Sequence, residues 1–383
     1  MKILILSNTL RSASGWGTYA RNTALGLRTR GHTVRAIVRE GSDYDDERVW
    51  LPEPHHLLGN PILWFKTAWA IRKAIKEFQP DIMHILVEPY VLAMPFVRMT
   101  MKKLPPWVLS IIGTYSVSPL YMLHTRPLHC WAYRNADGFA VLSHYTQNRV
   151  SESVVEKCGD ACARDAQTRM TVFPLGIEKI GNEPRHPDPK MKHILFVSEI
   201  KPRKGVREII RACDAFRRTS SVPFHMHFVG NMPQSKYKDE VLKLRKDLKL
   251  ESIVTFHGAL PRSEVHKFYE FADLCLVLGI SDGHHFEGHS LVFLEGNLRG
   301  IPAIGPVESG GEEAILDGVS GYCVDPHNPA EVAERMRWVL EENRIDPDAC
   351  KKWAHDHSVE AQAECFERVY EDTLKKERVK QAS

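Results

Sequence analysis

Several things are missing from this chain of 383 residues, and each absence removes a class of function. No apolar run approaches the roughly 20 residues that a membrane-spanning helix needs. The opening stretch MKILILSNTL reads as a short strand followed by polar residues rather than as a signal peptide. Eight cysteines are scattered without a paired framework, which fits a reducing cytosol best. Cys158 and Cys162 are spaced like half a metal site, but no second cysteine or histidine pair completes it. The loop SASGWGTYAR after the first strand lacks the third glycine of a dinucleotide fingerprint, so a dehydrogenase is a weak reading. No pyridoxal-lysine motif of a phosphorylase is present.

What is present fits an ordinary soluble globular protein, with 43% hydrophobic and 26% charged residues. The length exceeds one typical core and implies two domains of similar size. The net charge of +3 hides an asymmetry. Residues 1–170 carry 21 Lys and Arg against 14 Asp and Glu, while the remainder carries 30 against 34. A basic first half suggests an anionic surface or acceptor on that side. The segment Pro61 to Phe78 interleaves aromatics with Lys66, Arg72, Lys73 and Lys76. With Arg98, Lys102, Lys103 and Trp107 it either lies on an anionic membrane surface or packs on a sheet with its lysines in water. No nucleic acid is expected as a partner.

The chain is organised around His284 to Gly321. The apolar run Leu274 to Ile280 reads as a buried strand, followed by a Gly- and His-rich turn and a short helix from Ser290 to Arg299. Ser290 is the expected N-cap, leaving the amides of Ser290 and Leu291 as free donors for an anion. Glu287 and Glu295 flank that site. Carboxylates there suit a ligand with hydroxyls on both sides of its phosphates, as a nucleotide-sugar has. His284, His285 and His289 lie on a Gly-broken loop that cannot share a helix face, so no metal is expected. DYDDE at 43–47 reads as a solvated acidic loop.

Further strands are read at Met1–Ser7, Thr33–Val38, 80–85, 107–113, 137–146, 193–199, 224–231 and 252–260, with helices between several of them. This is the pattern of doubly wound α/β domains. The Glu-x7-Glu spacing of Glu287 and Glu295, the KPRKG loop at 201–205, VFPLGIE at 172–178 and Ala140 to Thr146 together resemble the retaining glycosyltransferases of family 4. That resemblance implies the GT-B fold, two Rossmann-like domains facing across a cleft. Residues 1–180 would bind the acceptor and 190–355 the nucleotide-sugar, with the segment 356–383 returning as a helix to the first domain. GNEPRHPDPK at 181–190 is the best linker.

By the same resemblance, Glu287 would hold the donor hexose, Glu295 the ribose hydroxyls and Lys204 the diphosphate. Gly288, His289, Ser290 and Leu291 would complete the donor loop. Gly258 would lie in the turn that meets the base, and Gly15 and Gly17, with Tyr19, in the loop across from it. The sequence departs from the family at two positions. Glu199 stands where an arginine is usual, leaving Arg203 to reach the phosphates and Lys201 or Arg203 to neutralise the acid. Ile112 stands where many members have a histidine, before Gly113. Tyr115 and His144 are then the acceptor-side candidates, with His84 as a further substitute.

The expected activity is retaining transfer of a hexose from a nucleotide-diphospho-sugar, UDP before GDP, to a hydroxyl of a glycan, lipid-linked or small-molecule acceptor. No cofactor or metal is expected, and the expected location is the cytoplasm, at the inner face of a membrane if the basic half docks there. The rival readings are a catalytically degenerate nucleotide-sugar-binding partner subunit and a nucleotide-sugar epimerase on the same fold.

Overall fold

The structure, a computed structural model, describes residues 1–12, 15–42, 44, 46–178 and 185–382. Residues 181–184 of the expected linker, Asp43 and Asp45 of the acidic run, and Ala13 and Ser14 of the first loop lie outside the described residues.

The chain divides into two compact units, one of Met1–Glu178 with Ser358–Ser383 and one of Lys179–His357. The first contains β1 (Lys2–Ser7), β2 (Thr33–Val38), β3 (Glu47–Val49), β4 (Ile82–Ile85), β5 (Trp107–Ile111), β6 (Gly138–Val141) and β7 (Met170–Val172). They form one parallel sheet in the order β3-β2-β1-β4-β5-β6-β7. The second unit contains β8 (Lys192–Val197), β9 (Phe224–Val229), β10 (Val254–Gly258), β11 (Leu274–Leu276), β12 (Ala303–Pro306) and β13 (Gly321–Val324). Its parallel sheet runs β10-β9-β8-β11-β12-β13. Central strands such as Ile3–Leu6, Val108–Ile111 and Ile194–Phe196 are buried on both faces. Helices cover both sides of a parallel sheet, so its strands are apolar throughout rather than alternating.

The helix Val359–Ala382 packs within the first unit. Gln362 donates to Thr23 and accepts from the Gly176 amide, and a Cβ on Gly26 would sit 2.8 Å from that of Ala363. Tyr370 on the same helix closes a buried chain of hydrogen bonds through His84 and Ser110 to Tyr19, with spacings of 2.6, 2.9 and 2.6 Å. His84 is therefore a core residue, not a substitute at an acceptor site. Burial lowers its pKa to about 3, keeping the imidazole neutral.

Other expectations are corrected. Gly15 and Gly17, expected in a loop, belong to the first helix, Gly15–Thr29, where Gly17 packs so tightly on the Arg11 carbonyl that a Cβ would come within 1.9 Å of its oxygen. The strand expected over 274–280 ends at Leu276, and the one over 137–146 ends at Val141, where Ser143 caps a helix beginning at His144. Glu47 of the acidic run belongs to an edge strand and accepts two bonds from Ser42. Cys130 and Cys158 are disulfide-bonded, which overturns the unpaired reading of the cysteines. Helices Arg126–Asn135 and His144–Cys158 bring together two sulfurs that stand 28 residues apart in sequence.

Candidate donor site in the second unit

Past β11 the chain stays beside β12, the Val277 amide donating to the Ile304 carbonyl at 3.2 Å. The Ile280 amide donates to the Arg203 carbonyl at 2.9 Å, which pins the Pro202–Lys204 turn against residues 277–280. Gly205 makes that approach possible. It has a φ of +66°, and a Cβ there would lie 1.8 Å from the Leu278 oxygen. On the other side, the Gly310 amide donates to the Glu287 carbonyl at 2.9 Å, and a Cβ on Gly310 would meet the Gly288 oxygen at 2.0 Å. Three loops are thus held together by main-chain contacts, following β8, β11 and β12 at the carboxyl ends of the parallel strands. Ligands of open α/β sheets bind there.

The side chains these loops carry converge. Glu287 Oε2 accepts from Arg203 Nη1 at 2.9 Å and from Lys204 Nζ at 2.5 Å. The side chains of Lys204 and Glu287 are only 12% and 14% exposed, so this is not a solvated surface pair. Burial raises the Glu287 pKa, but the charges of Lys204 and Arg203 more than offset it and hold the carboxyl below its ordinary range. Burial lowers the Lys204 pKa, and Glu287 only partly restores it. Glu199 is neutralised by Lys201, whose Nζ lies 2.6 Å from its carboxylate. Arg203 is left to Glu287.

Glu295 lies on the helix Leu291–Asn297, with its side chain 13% exposed. Its two oxygens accept separately, one from Tyr269 Oη at 2.9 Å and the other from Arg262 Nη2 at 3.2 Å. Both donors sit on the helix Arg262–Phe271, and sequence reasoning missed both. Only the spacings of 26 and 33 residues separate them from Glu295, which is no motif.

The expected helix over 290–299 covers only Leu291–Asn297. Ser290 occupies the N-cap position in an extended conformation, but its side chain makes no capping bond. Two turns carry little dipole, so the positive charge of the site rests on Lys204 and Arg203. His289 is buried, its Nδ1 without a hydrogen-bond partner among the described residues, and burial together with His357 lowers its pKa to about 3. Gly288 lies under Gly310, and Gly258 ends β10 with a φ of +73°. Next to it, His257 joins a hydrogen-bonded row with His227 and His193, with ring nitrogens 3.0 and 2.9 Å apart. Among the described residues no group of three or more His, Cys, Asp or Glu is arranged to hold a metal ion.

In the first unit, Tyr115 lies on the short helix Thr114–Val117, its ring 5.5 Å from Trp16 and 5.0 Å from His55. Gly15, beside Trp16, is exposed, whereas Gly17 is buried under Arg11. His144 is exposed at the start of its helix. Neither Trp16 nor His55 was signalled by sequence. Glu88 lies beneath this segment, accepting from the Ile112 amide at 3.0 Å and from Ser116 Oγ at 2.8 Å. Burial raises its pKa to about 7.

Residues 179–357 match the family Glycosyl transferases group 1, and residues 14–157 match the Glycosyl transferase 4-like domain. A D-inositol 3-phosphate glycosyltransferase from Paenarthrobacter aurescens is 24% identical over 364 residues, covering 85% of this chain and 84% of its own. A GDP-mannose-dependent alpha-(1-6)-phosphatidylinositol monomannoside mannosyltransferase from Mycolicibacterium smegmatis is 31% identical over 137 residues, about a third of either chain. Among solved structures, a glycosyltransferase from Rickettsia africae superposes with a TM-score of 0.74 at 17% identity, covering 98% of both chains. Anabaena HepE in complex with UDP and glucose superposes at 0.71 and 16% identity, covering 97% of this chain and 100% of that one. With a GT-B fold and matches of this kind in both units, the chain is a glycosyltransferase and belongs to family 4, the group 1 glycosyl transferases.

Proposed function

We propose that the protein transfers a hexose, with retention of anomeric configuration, from a nucleotide-diphospho-sugar to a hydroxyl acceptor in the synthesis of a glycan or glycolipid. The observation that carries this reading is the pairing of Arg203 and Lys204 with Glu287, beside a Glu295 whose oxygens are already fixed by Tyr269 and Arg262. Two cations suit a diphosphate, and an acid on either side suits the hydroxyls of hexose and ribose. The buried, unpartnered Nδ1 of His289 offers a further polar contact.

In this mechanism the bond from the anomeric carbon to the diphosphate oxygen breaks, and negative charge grows on the leaving phosphate. Lys204 and Arg203 stabilise that charge. The sugar becomes oxocarbenium-like, and the acceptor oxygen forms the new bond on the face the diphosphate leaves. The departing phosphate takes the acceptor's proton, so no further base is required. Glu287 orients the hexose and holds the Lys204 ammonium in position for the diphosphate. UDP-sugars are the first donors to try and GDP-sugars the second. Relatives are named for GDP-mannose, and Anabaena HepE was solved with UDP-glucose. The segment around Tyr115, Trp16 and His55 serves the acceptor.

Slow hydrolysis of radiolabelled nucleotide-sugars tests the reading. Turnover of one donor is expected, with Glu295→Ala weakening donor binding and Lys204→Ala lowering turnover at least about a hundredfold. Wild-type kinetics in both variants would overturn the site. Tight nucleotide binding with no turnover of any donor would instead favour a degenerate partner subunit, the reading that Ile112 and Glu199 support.

A further inference from the structure

The helix Pro61–Phe78 is apolar on two faces. One face, with Trp64, Ala68, Ile71, Ile75 and Phe78, is buried against the first unit. The opposite stripe is turned outward, where Ile62, Phe65 and Trp69 are 65, 58 and 62% exposed. Their spacing of three and four residues places all three on one side of the helix. Exposed apolar residues scattered singly are normal, but these continue onto neighbouring elements. The Phe65 ring lies 4.5 Å from that of Phe96, and Met99, one turn beyond Phe96, is 81% exposed. Trp64 stacks on His124, whose neighbour Leu123 is also 81% exposed.

Cations predominate around this patch, with Glu77 as the one acid of the helix. Lys66, Lys76, Arg98, Lys102 and Lys103 are exposed, and none of them pairs with an acid among the described residues. Lys73 lies 4.1 and 5.4 Å from the ring centres of Trp50 and Trp69 and reaches Glu77 at 3.9 Å. The core of a protein–protein interface is depleted of lysine. A helix that presents aromatics and lysines to the outside on the same stripe suits the boundary between headgroups and acyl chains. No helix of the described residues is long and apolar enough to cross a membrane, so contact through this patch would be lateral.

We infer that this face of the first unit docks on an anionic lipid bilayer, with Ile62, Phe65, Trp69, Met99 and Leu123 entering the headgroup boundary and the surrounding lysines and arginine meeting lipid phosphates. The inference concerns a surface separate from the donor site and stands whether or not the proposed transfer reaction does.

Co-sedimentation of the full chain with phosphatidylcholine vesicles, with and without phosphatidylglycerol, tests it in the absence of any donor. The chain should pellet with the anionic vesicles, stay in solution with the neutral ones, and be released by salt. Phe65→Ser with Trp69→Ser should weaken partition at least about tenfold, and Lys66→Glu with Lys102→Glu by a similar factor. All four side chains are exposed, so circular dichroism and the melting temperature should match wild type. Failure to bind anionic vesicles, or undiminished binding in both double variants, overturns the inference. So does a wild-type dimer in solution that the Phe65 and Trp69 changes make monomeric, which would assign the patch to a second copy of the chain.

Discussion

Glu287 gathers the charges of the candidate site. It accepts from Arg203 and Lys204, which gathers two positive charges at one carboxylate, as the proposed diphosphate contact requires. Preorganised charge stabilises a transition state without reorganisation at the moment of reaction. Glu295 is arranged by the same logic, since Tyr269 and Arg262 fix the direction of both oxygens. Removing the Tyr269 hydroxyl removes one of the two bonds that direct the Glu295 carboxylate. Tyr269→Phe should therefore weaken nucleotide binding about 3–10-fold in a calorimetric titration, with turnover of bound donor little changed. Glu287, Glu295 and Lys204 stood out as candidates from their spacing in the sequence. Arg262 and Tyr269 were not, because they reach Glu295 only through the packing of one helix against another.

At the scale of elements, the segment Ile112–Val117 depends on Glu88 beneath it. A carboxyl that titrates near 4.5 in the open chain is raised by burial to about 7 here. Its protonated form is favoured by the fold, so its stabilising effect is full below pH 4.5. It is lost as pH rises from there through 7. Glu88→Gln keeps acceptors for the Ile112 amide and Ser116 without the buried charge. Urea denaturation should show the variant gaining on wild type between pH 4.5 and 7, to about 1–3 kcal/mol at about pH 8. A constant difference across that range would contradict the assignment. Most strands were legible from their buried apolar runs, yet their ends were not. Residues 277–280 look as apolar as β11 itself but run on past its end, where Ile280 meets the Arg203 carbonyl.

For the molecule as a whole, composition and length pointed to two α/β units, and each unit has its own parallel sheet and core. The disulfide between Cys130 and Cys158 was invisible because nothing in sequence pairs residues that only helix packing brings together. The basic balance of the first half was legible, but the sequence could not tell an outward aromatic stripe from a buried one. Trp64 and Phe65 are adjacent, and only the rotation of the helix hides one and exposes the other. The measurement that bears most directly on the donor site is titration of UDP and GDP into wild-type protein, Lys204→Ala and Glu295→Ala. One of the two nucleotides should bind wild type, at least about tenfold more weakly to Lys204→Ala through loss of a charge-assisted contact, and more weakly than wild type to Glu295→Ala through loss of the ribose contact. Equal affinity for all three proteins would place the nucleotide elsewhere and contradict the account.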